Sequence, residues 1–117
     1  MTKSATALTL RRTTFDGVVR PDDYGVWWRG RDIGRIHLTT QSVPPQWVWA
    51  INIAMAIPPS CRGNSPTLDE AKADFRKAWD KFLPTITEAD LQEAWKTEDE
   101  AEARAQRQRE RSGRLPR

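Results

Sequence analysis

The chain has 117 residues, 38% of them hydrophobic, which suits one domain with a single core. Nineteen Lys and Arg residues against sixteen Asp and Glu residues give a formal net charge of +3, which excludes a strongly acidic protein. The single cysteine, Cys61, excludes an internal disulfide and a cysteine-based metal site. No stretch approaches the roughly 20 apolar residues of a membrane span, so we expect a soluble cytoplasmic protein without a signal sequence.

The first forty residues predict three strands. Residues 5–14 are rich in Thr, and larger side chains alternate with smaller ones at the start of this segment, which predicts a strand. Asp-Gly and Arg-Pro-Asp-Asp sequences predict a connection over residues 15–23. Two further alternations predict strands over residues 24–29 and 33–40. The turn between them is predicted at residues 30–32, where a glycine accommodates a positive φ.

The stretch WVWAINIAMAI, residues 47–57, has a large apolar side chain at every second position. This period predicts a long strand with one buried face. Paired prolines on both sides predict loops over residues 41–46 and 58–66.

Residues 67–83 predict an amphipathic helix that begins with a capping box made by Thr67 and Glu70. Its apolar positions recur at steps of three or four residues: Leu68, Ala71, Phe75, Trp79 and Phe82. A second helix is predicted to begin at Thr85 or Thr87. Its apolar residues are Leu91, Ala94 and Trp95.

Together these elements predict an α+β fold. We expect a three- to four-stranded antiparallel sheet, with one amphipathic helix packed on a face and a second, C-terminal helix. Residues 4–96 would form the domain. Residues 97–117 are highly charged and carry no apolar face, which predicts a helical or disordered tail. The sheet face away from the helix would stay open to water.

Residues able to carry catalysis are few and scattered. The only histidine, His37, is interpreted as a surface strand residue, and Cys61 as an incidental thiol. The acidic residues near the start of the first helix suit capping and solvation: Asp69, Glu70 and Asp74. With no convergent set of base, nucleophile and acid, we expect a non-catalytic protein that uses no cofactor and no metal.

The hairpin sequence WWRGRDIGR is the leading candidate for a binding surface. Arginine beside an exposed aromatic ring suits nucleic acid, because guanidinium groups bind phosphates and guanine edges and indole rings stack on bases. The candidate site residues are Trp27, Arg29, Arg31, Arg35 and His37. The alternative is that the arginines only keep a turn soluble while Trp28 fills the core.

A second arginine cluster closes the chain, with six Arg residues within residues 104–117. Such a segment binds nucleic acid, an anionic surface or a protein partner chiefly through charge, or it stays solvated. The rival function is therefore a protein-interaction or regulatory adaptor that uses the second helix and this tail. A homodimer is left open.

Residues 22–82 resemble a group of small uncharacterised alphaproteobacterial proteins. The resemblance rests on four motifs: Asp23-Tyr24, IGRI at residues 33–36, the pair Trp47 and Trp49, and TLDEAKADFRKAW at residues 67–79. That group implies no activity. The order of three strands and a helix opening with Thr-x-x-Glu-Ala is also similar to AP2-type and integrase arm-type DNA-binding domains, and to the HicB-type antitoxin fold. In the AP2 group the sheet reads the major groove, which implies such positions here for Trp27, Arg29 and Arg35.

Overall fold

A computed structural model describes residues 7–113 and divides the chain into two compact units. The first unit ends at Thr85 and holds a β-sheet and one helix, and the second begins at Ile86 and holds another helix. The predicted α+β class is confirmed. Positions 4–6 and 114–117, which belong to the predicted domain and tail, lie outside the described residues.

Five antiparallel strands form the sheet, so the prediction of three to four was too low. They follow chain order across the sheet: β1 Thr9–Phe15, β2 Val18–Trp28, β3 Arg31–Thr39, β4 Gln46–Ile51 and β5 Arg62–Ser65. The helices are α1, Leu68–Phe82, and α2, Glu88–Ser112. Neither helix in this described part combines the length and apolarity needed to cross a membrane.

The two N-terminal hairpins are tighter than predicted. Asp16 and Gly17 link β1 to β2, and Arg29 and Gly30 link β2 to β3, all four with positive φ between 51° and 77°. Two-residue turns of this hand match the twist of paired strands. The predicted connection over residues 15–23 was too long, because residues 18–23 lie in β2. The β1–β2 ladder shifts register there, between Arg12 and Thr14. A break in the ladder tolerates the proline there.

The long apolar stretch is a strand only over its first half. β4 ends at Ile51, whose partner on β3 is Gly34. Beyond that pair the backbone turns on itself, with the Met55 N–H donating to the Ile53 carbonyl over 2.7 Å. The predicted strand over residues 47–57 was therefore too long. The predicted loop over residues 58–66 contains β5, which forms because β4 offers it a free edge.

Helix α1 lies on β3, β4 and β5 and buries its predicted stripe from Ala71 to Phe82, whereas Leu68 is only half-buried. Thr67 caps it by accepting the Glu70 N–H over 3.1 Å. The Trp79 ring meets Trp28 edge-on at 5.2 Å between centroids. The ring of Phe75 lies over the sheet so closely that a Cβ at Gly34 would be 2.6 Å from it, so no side chain fits there.

The second unit is helix α2. Thr87, one of the two predicted caps, makes a complete capping box with Asp90 through hydrogen bonds of 2.9 and 3.0 Å. The buried residues of α2 are all in its first two turns: Leu91, Ala94 and Trp95. The helix then continues through most of the predicted tail to Ser112. The boundary predicted at residue 96 stays a prediction.

Candidate functional site

The sheet has one face under α1 and one face opposite it, which we call the open face. Side chains alternate along each strand, so the register assigns each paired position to a face. The alternation is broken at two register shifts, next to Thr13 in β1 and Ile33 in β3. The residues of the open face include Thr9, Arg11, Thr13, Asp23, Gly25, Trp27, Asp32, Arg35, His37, Val48, Ala50, Arg62 and Asn64. Trp27, Arg29, Arg35 and His37 were predicted to share the open face, and three of them do. Arg29 instead lies in the turn after β2.

Trp27 lies at the β1–β2 end of the open face. The Arg11 guanidinium lies over its ring, 4.1 Å from the ring centroid. A Cβ at Gly25 would be 3.1 Å from the indole Nε1 of Trp27, so the indole rests directly on the strand backbone. Trp27 is half-buried, which leaves part of its ring accessible beside a cation. An aromatic plane with a guanidinium is a surface that favours stacking and anions together.

Arg29 and Arg31 flank the turn at the end of this hairpin. The Arg29 guanidinium lies 4.4 Å from the ring centroid of Trp28, which itself is buried on the α1 face. Arg31 is half-buried and pairs with Trp28 at the first position of β3. The structure therefore brings Arg11, Trp27, Arg29 and Arg31 to one end of the β1–β2–β3 part of the sheet.

Arg35 and His37 lie elsewhere, in the middle of the open face. The Nε of Arg35 donates to Oδ1 of Asp23 over 2.9 Å, and its Nη2 contacts Oδ2 of the same carboxylate. Thr13 also donates to Oδ1, over 3.0 Å. The hydrogen bonds from Arg35 lower the pKa of Asp23 and raise that of Arg35. Asp23 is buried, so this bidentate ion pair fixes the Arg35 side chain.

His37 faces Asp23 across the β2–β3 ladder. Its Nδ1 is buried and has no hydrogen-bond partner within residues 7–113. Burial lowers the pKa of His37, and the Arg35 charge lowers it further against the opposing effect of Asp23. The imidazole is therefore neutral at neutral pH and offers one donor and one acceptor rather than a charge.

Cys61 is buried, and burial raises its pKa, so the thiol stays protonated at neutral pH. Among the described residues, no three His, Cys, Asp or Glu side chains come together as a group that could hold a metal ion. The arrangement on the open face can bind through charge, stacking and hydrogen bonds.

Three residues that contact the predicted site residues or their partners were not themselves predicted: Arg11, Thr13 and Asp23. Asp23 had been placed in a turn. Arg11 and Thr13 had been placed in a strand whose pairing partner was not predicted. The alternation of β1 puts Arg11 and Thr13 on one face. Their contacts with Trp27 and Asp23, however, depend on a cross-strand register that a single sequence does not specify.

Comparison with known proteins adds no relative: no family model matches the chain, and neither the curated proteins nor the solved structures yield a match. The resemblances to alphaproteobacterial proteins and to AP2-type, integrase arm-type and HicB-type folds therefore stay predictions.

Proposed function

We propose that the protein is a non-catalytic binding module that holds nucleic acid at the end of the sheet formed by Arg11, Trp27, Arg29 and Arg31. One observation carries the proposal: the Arg11 guanidinium stands over the accessible indole of Trp27 on the open face. A nucleic acid offers the matching groups, since its bases stack on an aromatic ring and its phosphates accept hydrogen bonds from guanidinium groups.

The charge of the sheet supports this proposal. Residues 7–66 contain seven Arg, four Asp and no Lys or Glu. Guanidinium is planar and makes two parallel hydrogen bonds to phosphate, which ammonium does not. One of the seven, Arg35, is already paired with Asp23 in the middle of the face. Arg35 and His37 were predicted as site residues, but they lie in the middle of the open face. In this proposal they border the nucleic-acid site and do not make its main contacts.

Fluorescence anisotropy of labelled oligonucleotides tests the proposal directly. The purified chain would be titrated into a fluorescein-labelled single strand and a labelled duplex at two salt concentrations. Trp27→Ala should weaken binding by about 1–3 kcal/mol, because one stacked base loses its platform. Arg11→Gln should weaken binding and flatten its salt dependence, because one released counterion is lost.

Arg76→Gln is the matched control, because it removes the same charge from the exposed side of α1. It should leave affinity within about twofold, a change near the limit of measurement. If the wild-type chain fails to bind either oligonucleotide at low salt, or if Arg76→Gln weakens binding as much as Arg11→Gln, the proposal is wrong.

The rival function, a protein-interaction adaptor using the second helix, has its own supporting observation. From Lys96 to Gly113, α2 and its cap contain no buried residue, yet side-chain pairs such as Gln106 with Glu110 line the helix. A helix that is exposed to solvent on all sides can bind a protein partner. Deleting residues 98–117 discriminates the two functions: loss of a protein partner with unchanged oligonucleotide binding would favour the adaptor.

A further inference from the structure

The open face contains a second site, at its β3–β5 end. A cavity of about 440 Å³ lies there. One side of it is formed by residues 52–58, the irregular segment after β4. Its polar lining includes Arg35, His37 and Arg62, and its apolar lining includes Val48, Ala50, Ile53, Met55 and Ile57. Cavities of this size and mixed lining hold small organic ligands.

Two arginines flank the floor of this cavity because of the strand register. Arg35 on β3 pairs with Ala50 on β4, and Ala50 pairs with Arg62 on β5. The three residues therefore form one row across the open face, with the small alanine in the centre. Ala50 leaves space above the sheet, and two long cationic side chains stand on either side of that space.

The charges of the row leave one positive charge without a counterion. Arg35 is neutralised by the buried carboxylate of Asp23. Arg62 is exposed, and its side chain makes no ion pair or hydrogen bond within residues 7–113. A neutral His37 adds a hydrogen-bonding group but no charge. The cavity thus offers one unpaired guanidinium beside a hydrocarbon wall.

We propose that this cavity binds a small carboxylate with an aliphatic or aromatic body, with Arg62 holding the carboxylate and the apolar residues of the segment after β4 covering the body. A carboxylate matches the single unpaired charge and accepts the two parallel hydrogen bonds that guanidinium donates. A phosphate monoester carries a second negative charge that the site does not balance. Arg35 and His37 border both this cavity and the nucleic-acid surface, but Arg62 and the apolar wall belong to the cavity alone.

NMR spectroscopy of the full-length ¹⁵N-labelled chain tests this assignment with octanoate as the probe. Saturable shifts should map to the amides around Arg35, Ala50 and Arg62, and to the segment after β4. Arg62→Gln should raise the dissociation constant by about tenfold or more, as expected for the loss of a charge-assisted pair. Arg20→Gln, which removes an exposed arginine from β2, should leave it within about twofold.

A second variant tests the cavity without touching a charge. Ala50→Leu fills the floor between the arginines and should abolish octanoate binding, and its spectrum shows whether the fold is retained.

Two further ligands, octanol and phenyl phosphate, test separately the apolar body and the charge of the ligand. Equal binding of octanol would overturn the role of the carboxylate, and tighter binding of phenyl phosphate would overturn the charge argument. Octanoate shifts that map outside the cavity, or no saturable shifts, would overturn the site itself.

Discussion

The two faces of one sheet differ completely in what they contain. On the α1 face, Val26, Trp28 and Ile36 are at most 1% exposed, and Trp28 meets the Trp79 ring of the helix. On the open face, the same strands present arginines, a half-buried tryptophan, a histidine and an ion pair. Because the two sets alternate along the strands, each strand contributes residues both to the core and to the open face. The core and the open face can therefore be changed separately by substituting neighbouring residues.

The open face itself divides in two. Its β1–β3 end carries Arg11 and Trp27 next to the turn that holds Arg29, and its β3–β5 end surrounds a cavity. The Asp23–Arg35 ion pair lies between them. The first end suits an extended polyanion, whereas the second suits a compact ligand. Substitutions at one end should leave the other unchanged, which makes each end the control for the other.

The largest expected effect compares a tryptophan from each side of the sheet. Trp79→Ala should destabilise the protein by about 3–5 kcal/mol, because it removes a buried ring packed on Trp28 and Phe82. Trp27→Ala should cost clearly less, because its ring is half-exposed on the open face. Chemical denaturation followed by circular dichroism measures both values.

If Trp79→Ala and Trp27→Ala lower the free energy of unfolding equally, the two faces do not differ in their contribution to stability. A near-neutral Trp79→Ala would show that α1 does not stabilise the sheet in the way that its ring contacts imply. Retained oligonucleotide binding in a folded Trp27→Ala variant would separate Trp27 from function as well.

The assignment of side chains to faces was available from the sequence. The alternation in β2 and β3 placed Val26 and Ile36 inside and Trp27 and Arg35 outside, and the structure agrees. The helical period of α1 was equally clear. These features are local, because each depends on the spacing of residues within one element.

What the sequence did not specify depends on pairing between distant segments. The residues RGNS look like a loop between prolines, and they become β5 only because β4 offers an edge. The apolar period of residues 47–57 continues beyond Ile51, but the ladder with β3 ends there. The ion pair between Asp23 and Arg35 and the row through Ala50 likewise require a register that no local pattern encodes.

The next effect in size concerns the ion pair in the middle of the open face. Asp23→Asn should destabilise the protein by about 1–2 kcal/mol, since it weakens charged hydrogen bonds at a buried group while Arg35 stays partly solvated. Because the pKa of Asp23 is lowered in the folded state, the carboxylate stabilises the fold above its ordinary value of 3.8. That contribution is lost as the pH falls below 3.8 toward the lowered pKa. Denaturation at a series of acidic pH values measures this loss.

Asp22→Asn provides the matched control for this effect, because Asp22 is the exposed neighbour in the same strand. The wild type and Asp22→Asn should both lose stability in the window below pH 3.8, whereas Asp23→Asn should lose less of it. The same acid dependence in all three proteins would show that Asp23 contributes nothing through its charge.

The smallest expected effect on stability concerns the contact that holds the Trp27 indole against the open face. In Gly25→Ala the new Cβ would lie 3.1 Å from the indole Nε1 of Trp27 and 3.2 Å from Oδ2 of Asp32. The half-exposed indole can move away, and alanine reduces the entropy of the unfolded chain, so we expect a loss below about 1 kcal/mol. The displacement should nevertheless shift the indole N–H resonance of Trp27 and change affinity for a single-stranded oligonucleotide. Gly113→Ala, at the end of α2, should leave the Trp27 resonance and the oligonucleotide affinity unchanged. An unshifted Trp27 resonance in Gly25→Ala would mean that the indole does not rest on this backbone, and the stacking surface would then need a different geometry.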